Sequence, residues 1–400
     1  QRRFATQGWS AAELLAGRHA QALQGFVAIC ATDGNHGRAL AAAAHSLGCR
    51  CVIVLHAQVS AEREQAIAAF GAEIVRIAGH YDESVREAAR LARVNGWEVV
   101  SDTSYEGYEE VPRDVMQGYG VIVDELLDEV GAAGDACPWT HVVLQGGVGG
   151  MAAGIVAGLW DRYGAQRPRF IVVEPEQADC LLQSAIAGRP AHARGSVDSV
   201  MAGLACGEAS PLAWRFLQPA VDAFMTVTDT QAEDAMRLLA DAPHGDVPLV
   251  AGESAVAGLA ALQQLVQQPD AARAAGIDAD SQVLLISTEG DTAPGVYAAI
   301  VGRPADAVRA AQQAWLARQE QVRQGLSGER LLARIAANAA IGAIDGGGLC
   351  RIALTDADRQ GRDQLVRWMK DLGLDVRVDR IGNVFGNIGR LRSAASTGGE

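Results

Sequence analysis

The sequence predicts an α/β protein built on parallel sheets, and three observations carry that expectation. Short, continuous Val/Ile-rich runs alternate with longer amphipathic runs from Phe26 to Val100, the pattern of strands buried on both faces and joined by crossover helices. Two glycine-rich turns, Asp33-Gly34-Asn35-His36-Gly37 and Gly146-Gly147-Val148-Gly149-Gly150, stand where such a strand gives way to a helix. The 400 residues are 49% hydrophobic and 20% charged, which leaves ample core for two or three domains.

Taken in order, strands are expected at Phe26–Cys30, Arg50–Leu55, Glu73–Ile77 and Trp97–Val100, with helices His36–Leu47, Ala61–Phe70 and Glu83–Val94 between them. One longer helix, Arg113–Val130, leads into a second series: strand His141–Gln145, helix Met151–Tyr163 and strand Phe170–Val173. A loop rich in small residues, His192–Ser210, follows, and then helix Ser254–Val266 and strand Gln282–Ser287. The series closes near Gly302, and the character changes beyond Pro304. Ala305–Arg323 and Leu326–Ala340 read as helices, Gly346-Gly347-Gly348 as a break, and Thr355-x-x-Asp358 as a capping-box-like start for a helix reaching Met369. Leu374–Asp379 alternates like a half-exposed strand, and Ser393 to Glu400 is small and polar. The expected organisation is a module over 1–302, a helical linker over 303–328, and a partial α+β tail over 329–400.

A formal charge of −14 and a pI near 5.1 argue against nucleic acid or an anionic membrane as partner, since both select a basic face. Small-molecule chemistry is the better expectation. Seven cysteines without C-x₂-C spacing read as reduced thiols and a cytoplasmic setting. Cys49 and Cys51, either side of Arg50, are expected on opposite faces of their strand. No apolar run is long and unbroken enough to span a bilayer, and the eight histidines are too dispersed to suggest a metal site.

The turn at Gly147, Val148, Gly149, Gly150 and Met151 lets backbone amides and a helix N-terminus approach a phosphate. Alone it is a weak signal, because many such turns only connect a strand to a helix. It lacks the G-x-G-x-x-G spacing of a dinucleotide site. An Asp-Gly pair such as Asp33-Gly34 is usually a turn, and an aspartate at a strand end such as Asp102 is usually a helix cap.

Together, a series of motifs in order is specific. Thr32-Asp33-Gly34-Asn35-His36-Gly37-Arg38, Ser101-Asp102-Thr103, Glu106-Gly107-Tyr108, Met116-Gln117-Gly118-Tyr119, Val173-Glu174-Pro175, Ala178-Asp179-Cys180, Met201 to Glu208, Gly252-Glu253-Ser254 and Ile286 to Thr292 resemble the fold-type II pyridoxal-phosphate enzymes, and among them the diaminopropionate ammonia-lyase family. The resemblance implies a tryptophan synthase β-like fold of two intertwined α/β domains and pyridoxal 5'-phosphate as cofactor. It implies α,β-elimination of 2,3-diaminopropionate to pyruvate and ammonia, and a homodimer. Another amino-acid β-lyase or dehydratase, a truncated zinc amidohydrolase, or an inactive fragment are the alternatives.

Residue by residue, the resemblance implies that Asn35 meets the cofactor's 3-oxygen and that Gly147 to Met151 cradle its phosphate. Ser287 or Thr288 would face the pyridine nitrogen, and the Thr32, Gly34 and His36 turn would hold the substrate carboxylate. Asp33 would serve the D-isomer and Asp102 the L-isomer, one on each side of the substrate plane; a carboxylate beside the α-carbon is a general base when burial raises its pKa. His36 reads more readily as a helix-start or loop-packing residue than as a base, and Glu253 reads equally as a residue near the ring and as a cap or loop anchor.

Fold-type II enzymes hold the cofactor on a lysine. The single lysine here is Lys370, in the tail; 32 residues precede Asp33, fewer than separate the two in the family, so that lysine is expected upstream of Gln1 and the chain as given is expected to be inactive. The tail motifs Glu329 to Leu332, Ala339 to Gly342, Val366 to Met369 and Val376 to Asn383 resemble the opening of N-carbamoyl-amino-acid hydrolases and allantoate amidohydrolases. No histidine follows His244, so that family's metal site is not expected.

Overall fold

Valine and isoleucine runs that the sequence marks as strands are almost wholly removed from water: Val52, Ile53, Val54, Leu55, Val142, Val143 and Leu144 are each 0% exposed. In the computed structural model, which describes residues 8–32, 34–57, 59–79, 81–130, 136–325, 328–341, 343–344, 348–349, 355–378 and 384–387, these runs form two parallel four-stranded sheets. The first comprises β1 (Val27–Ala31), β2 (Arg50–Leu55), β3 (Glu73–Arg76) and β4 (Glu98–Val99) in the order β3-β2-β1-β4. The second comprises β5 (His141–Gln145), β6 (Arg169–Pro175), β7 (Ala223–Val227) and β8 (Val283–Leu285) in the order β7-β6-β5-β8. The topology is the same in both: two crossovers step outward on one side, and the last strand returns to the far side of the first.

Alternation along each strand divides its side chains between two cores. Cys30, Ile53 and Leu55 pack on one face of the first sheet, while Val27, Ile29, Val52 and Val54 pack on the other. Cys49 and Cys51 lie in the same cluster, which corrects the expectation of opposite faces: residues two apart on a strand share a face.

The expected helix Arg113–Val130 is two helices, Glu110–Gly118 and Gly120–Glu129. Gly118 and Gly120 flank the junction at Tyr119, where helix propagation is weakest, and the Tyr119 amide makes a tightened bond to the Met116 carbonyl. The helix expected from Ser254 starts at Ala257 and runs to Gln267, because the amides before it bond to Glu289: Gly252 to its carbonyl and Ser254 to its carboxylate. Strand β7 and the helices Cys180–Ala187, Pro211–Ala220 and Asp229–Asp241 add to the expected elements; the last opens on a Thr228–Gln231 capping box, the second on Pro211, and the first closes on Gly188.

The chain divides into two compact units, Gln1–Gln313 and Ala314–Glu400. The division falls within helix Ala305–Gly325. Ala305 and Val308, 5% and 0% exposed, are core residues, and Arg309 pairs with Asp291, so the first unit runs past Gly302. The second unit contains helix Gly328–Ala340, the antiparallel pair Ala343–Ile344 with Gly348–Leu349, helix Asp356–Asp371, and the antiparallel pair Asp375–Val378 with Val384–Asn387. The Thr355 hydroxyl caps the second helix by accepting from the Asp358 amide at 3.3 Å. Gly346, Gly347, Cys350 and Ser393 to Glu400 lie outside the described residues. Among the described residues no helix is long and apolar enough to cross a membrane.

Candidate active site

Open parallel sheets bind ligands beyond the carboxyl ends of their strands, where the strand order reverses. In the first sheet that reversal lies between β1 and β4, whose ends lead into Thr32–Asn35 and Ser101–Asp102. In the second it lies between β5 and β8, whose ends lead into Gly146–Gly150 and Ile286–Glu289. The segments expected to carry Asp33, Asn35, Asp102, Gly147–Met151, Ser287 and Thr288 therefore start from the two switch points.

The loop after β5 begins with Gly146, whose absent Cβ would stand 2.8 Å from Glu174 Cγ and 3.2 Å from the Val173 carbonyl. Only glycine lets the chain turn this close to β6. Gly147 and Gly149 have φ of +58° and +97°, the left-handed region that glycine enters without strain. Gly149 is the N-cap of helix Gly150–Tyr163, and no side chain caps it. The first-turn amides consequently have no intrahelical acceptor, and together with the helix dipole they favour an anion.

Beneath this loop sits Glu174, 0% exposed. It accepts the amides of Leu181 and Leu182, each at 2.8 Å, and lies 3.5 Å from the Cys180 thiol, which also reaches the Gly147 carbonyl at 3.5 Å. Burial pushes its pKa up to about 7 against the opposing effect of these donors.

Asp102 is half-buried, with the Thr103 hydroxyl 3.3 Å from its carboxylate. Its negative charge helps to raise the pKa values of the Cys30 thiol and of Tyr108 and Tyr119, after the larger effect of their burial. A Cβ on Gly150 would lie 3.7 Å from the Asp102 carbonyl, so the two switch points meet here. The His36 ring bonds the Val100 carbonyl at 2.8 Å, which ties helix Asn35–Leu47 to the segment that carries Asp102. Thr32 is 4% exposed, and its hydroxyl accepts the amides of Gly34 and Gly37, both at 3.1 Å. That hydroxyl shapes the turn. Asp33 lies outside the described residues.

Asn35 reaches across to the second sheet. Its amide donates to Glu289 at 2.6 Å, Glu289 accepts the Ser254 amide at 2.9 Å, and the Ser254 hydroxyl accepts the Gly203 amide at 3.0 Å. A Cβ at Gly203 would stand 3.3 Å from the Asn35 amide nitrogen and fill the space between these groups. Close by, Arg63 pairs with Glu253 at 2.8 Å, where Glu253 is only 1% exposed. Ser287 and Thr288 lie exposed beyond β8. Among the described residues no group of three or more His, Cys, Asp or Glu is arranged to hold a metal ion.

A doubly wound pair of sheets with an uncapped glycine loop at one switch point and a polar, amide-bearing turn at the other defines a cofactor-dependent α/β enzyme. The model of the pyridoxal-phosphate dependent enzyme family matches residues 10–289, and the chain belongs to that family. Within it, diaminopropionate ammonia-lyase of Escherichia coli K12 is 40% identical over 274 residues, 68% of this chain and 68% of that protein. The Salmonella typhimurium LT2 protein of the same name is 39% identical over 281 residues, 69% of each. The crystal structure of the E. coli enzyme in complex with an aminoacrylate-PLP azomethine reaction intermediate matches with a TM-score of 0.64 at 36% identity, over 72% of this chain and 78% of that one. Its complex with D-serine gives a TM-score of 0.63 at 36% identity, over 72% and 76%.

The residues present fit the phosphate end of pyridoxal phosphate: the helix start after Gly149 has no side-chain cap, and the space in front of Gly203 is one a single Cβ would occupy. Gly203 links two of the predicted segments: a Cβ on it would lie 3.3 Å from the Asn35 amide nitrogen, and a Cβ on Gly147 would lie 3.5 Å from the Gly203 carbonyl, while Gly150 neighbours the Asp102 carbonyl. Glu289 and Tyr108 stand in the motifs Ile286–Thr292 and Glu106–Tyr108, but the sequence assigns them no role, and it marks neither Ser104 nor Ser210; the contacts of Glu289 and of the two serines join residues far apart in the chain.

Proposed function

We propose that the first unit acts as a lyase on 2,3-diaminopropionate, releasing pyruvate and ammonia. The observation that carries this reading is the meeting of the uncapped glycine loop with the carboxylate-bearing segment, Gly150 against the Asp102 carbonyl. The ammonia-lyases of E. coli and Salmonella, similar over two thirds of their length, support it. Pyridoxal 5'-phosphate supplies the electron withdrawal that acidifies the substrate's α-proton and releases the β-amino group. The chain does the rest. In the loop Gly147 to Met151 the Gly149 amide is taken by the Gly146 carbonyl at 3.1 Å and the other amides hold the phosphate; Asn35 orients the ring through its 3-oxygen, and Ser287 or Thr288 meets the pyridine nitrogen with a neutral hydroxyl. Thr32 shapes the turn by taking the Gly34 amide, and the amides of Asn35 and His36 hold the substrate carboxylate. Asp33 takes the α-proton of the D-isomer and Asp102 that of the L-isomer. A second copy of the chain is its proposed protein partner.

Lys370, the only lysine, stands in the second unit and takes no part in this reading. Residues 1–400 mixed with pyridoxal phosphate and reduced with borohydride are therefore expected to show no adduct on Lys370 and to release no pyruvate. The activity itself is tested in a chimera that places, ahead of Gln1, the stretch preceding the matched region of the E. coli enzyme. Pyruvate from diaminopropionate, exceeding that from serine in kcat/KM, is the expected result; preference for serine would overturn the substrate assignment.

A further inference from the structure

The geometry points to Ser104 and Ser210 as positioning residues that hold the Asp102 segment at a set distance from the phosphate-binding amides, so that occupation of the glycine loop orders the base. The inference rests on the roles proposed above for Asp102 and for the loop. Both serines are buried, 3% and 1% exposed. The Ser104 amide donates to the Ser210 hydroxyl at 3.2 Å, and the two hydroxyls lie 3.0 Å apart. The Ser210 amide donates in turn to the Val148 carbonyl at 2.9 Å, inside the glycine loop. Asp102 is two residues from Ser104, and Gly150 two from Val148. With Gly150 packed against the Asp102 carbonyl, the five residues close a ring that joins the two switch points.

The other end of the segment is held as firmly. The Tyr108 hydroxyl donates to the Val99 carbonyl at 2.8 Å and accepts the Ser101 amide at 3.0 Å. His36 takes the Val100 carbonyl, and the Thr103 amide donates to the Ser101 hydroxyl at 3.2 Å. Backbone groups on both sides of Asp102 are thus committed, and among the described residues its carboxylate is held by one side-chain contact, the Thr103 hydroxyl at 3.3 Å. The serine pair is the part of this scaffold that passes to the other sheet. Ser104 also accepts the Leu212 amide at 2.9 Å, a second tie to the start of helix Pro211–Ala220, so breaking the bridge takes Ser104→Ala together with Ser210→Ala.

The test is hydrogen–deuterium exchange of residues 1–400 with and without pyridoxal 5'-phosphate, read on peptides covering Gly146–Met151 and Val100–Ser104. In the parent chain the ligand is expected to slow exchange in both by roughly tenfold, since each ordered amide gains a closed state. The double variant Ser104→Ala/Ser210→Ala should keep the protection at Gly146–Met151 and lose it at Val100–Ser104, with Ser104→Thr, which retains a hydroxyl, behaving as the parent. Thermal unfolding is recorded for each variant, and Ser104→Ala, which removes both contacts of that hydroxyl, replaces the double variant if the latter does not fold. Full protection of both peptides in the alanine variants would overturn the inference and leave the cofactor reading standing. Absence of protection at Gly146–Met151 in the parent chain would instead overturn the cofactor reading, and the inference with it.

Discussion

Glu174 is a carboxylate with no exposed surface, and its titration should be visible in the stability of the protein. Its ordinary value is 4.5, and burial raises it to about 7 in the folded chain. Below the lower value the group is protonated in both states and makes no difference. As pH rises through the window the unfolded chain ionises while the folded chain keeps its proton, so folding loses stability, by on the order of 3 kcal/mol. Above the upper value the loss is constant. Glu174→Gln should abolish this slope, seen as a melting-temperature difference from the parent that changes between the two pH values and is flat outside them; a difference independent of pH would refute the assignment. The aspartates make a second test at this scale. In the lysine-bearing chimera, Asp102→Asn should lower turnover of L-diaminopropionate by about 10²–10⁴-fold and Asp33→Asn that of the D-isomer. Equal losses on both isomers from either change would exclude the division of labour.

Helix Gly150–Tyr163 owes its position to a row of glycines four apart, Gly150, Gly154 and Gly158, which lie on one face. Gly150 meets the Asp102 carbonyl, Gly154 the Met116 carbonyl and Tyr119, and Gly158 the side chain of Val123. Helices Glu110–Gly118 and Gly120–Glu129 thereby pack directly on the helix that carries the phosphate amides. A Cβ at Gly154 would stand 2.9 Å from Tyr119 Cβ and closer still to the Met116 carbonyl, a backbone atom that has no rotamer to escape into. Gly154→Ala is therefore expected to destabilise the first unit by about 1–3 kcal/mol despite its better helix propensity, measured by urea unfolding. A stabilised variant would show that these helices are free to separate.

Within the first unit, the two sheets share one topology, and the halves that carry them are joined by Asn35–Glu289, Arg63–Glu253 and the Gly295 amide on Glu62. The boundary of the first unit follows from its core rather than from composition. Cutting after Gly302 removes buried Ala305 and Val308 and the Arg309–Asp291 pair, whereas cutting after Gln313 keeps them. The shorter form should melt several degrees below the longer, on the basis of about 2–4 kcal/mol for losing buried apolar side chains. Identical melting temperatures would show that the start of helix Ala305–Gly325 contributes nothing to the core.

Much of this architecture is written locally. Continuous Val/Ile runs such as Arg50–Leu55 specify buried parallel strands, and the glycine turns after β1 and β5 specify backbone amides presented to an anion, because periodicity and backbone freedom are properties of neighbours in the chain. The motif series from Thr32 to Thr292 likewise carries the likeness to the pyridoxal-phosphate enzymes in the chain itself. The order of strands, and with it the coincidence of Asp102 with Gly150, came only from the fold: pairing is chosen by crossovers and packing over the entire unit. So did the break at Tyr119, the partners of Glu289 and the bridge from Ser104 to Ser210. Each rests on a contact between segments that are remote in sequence, where a serine or a glutamate carries no sign of what it will touch.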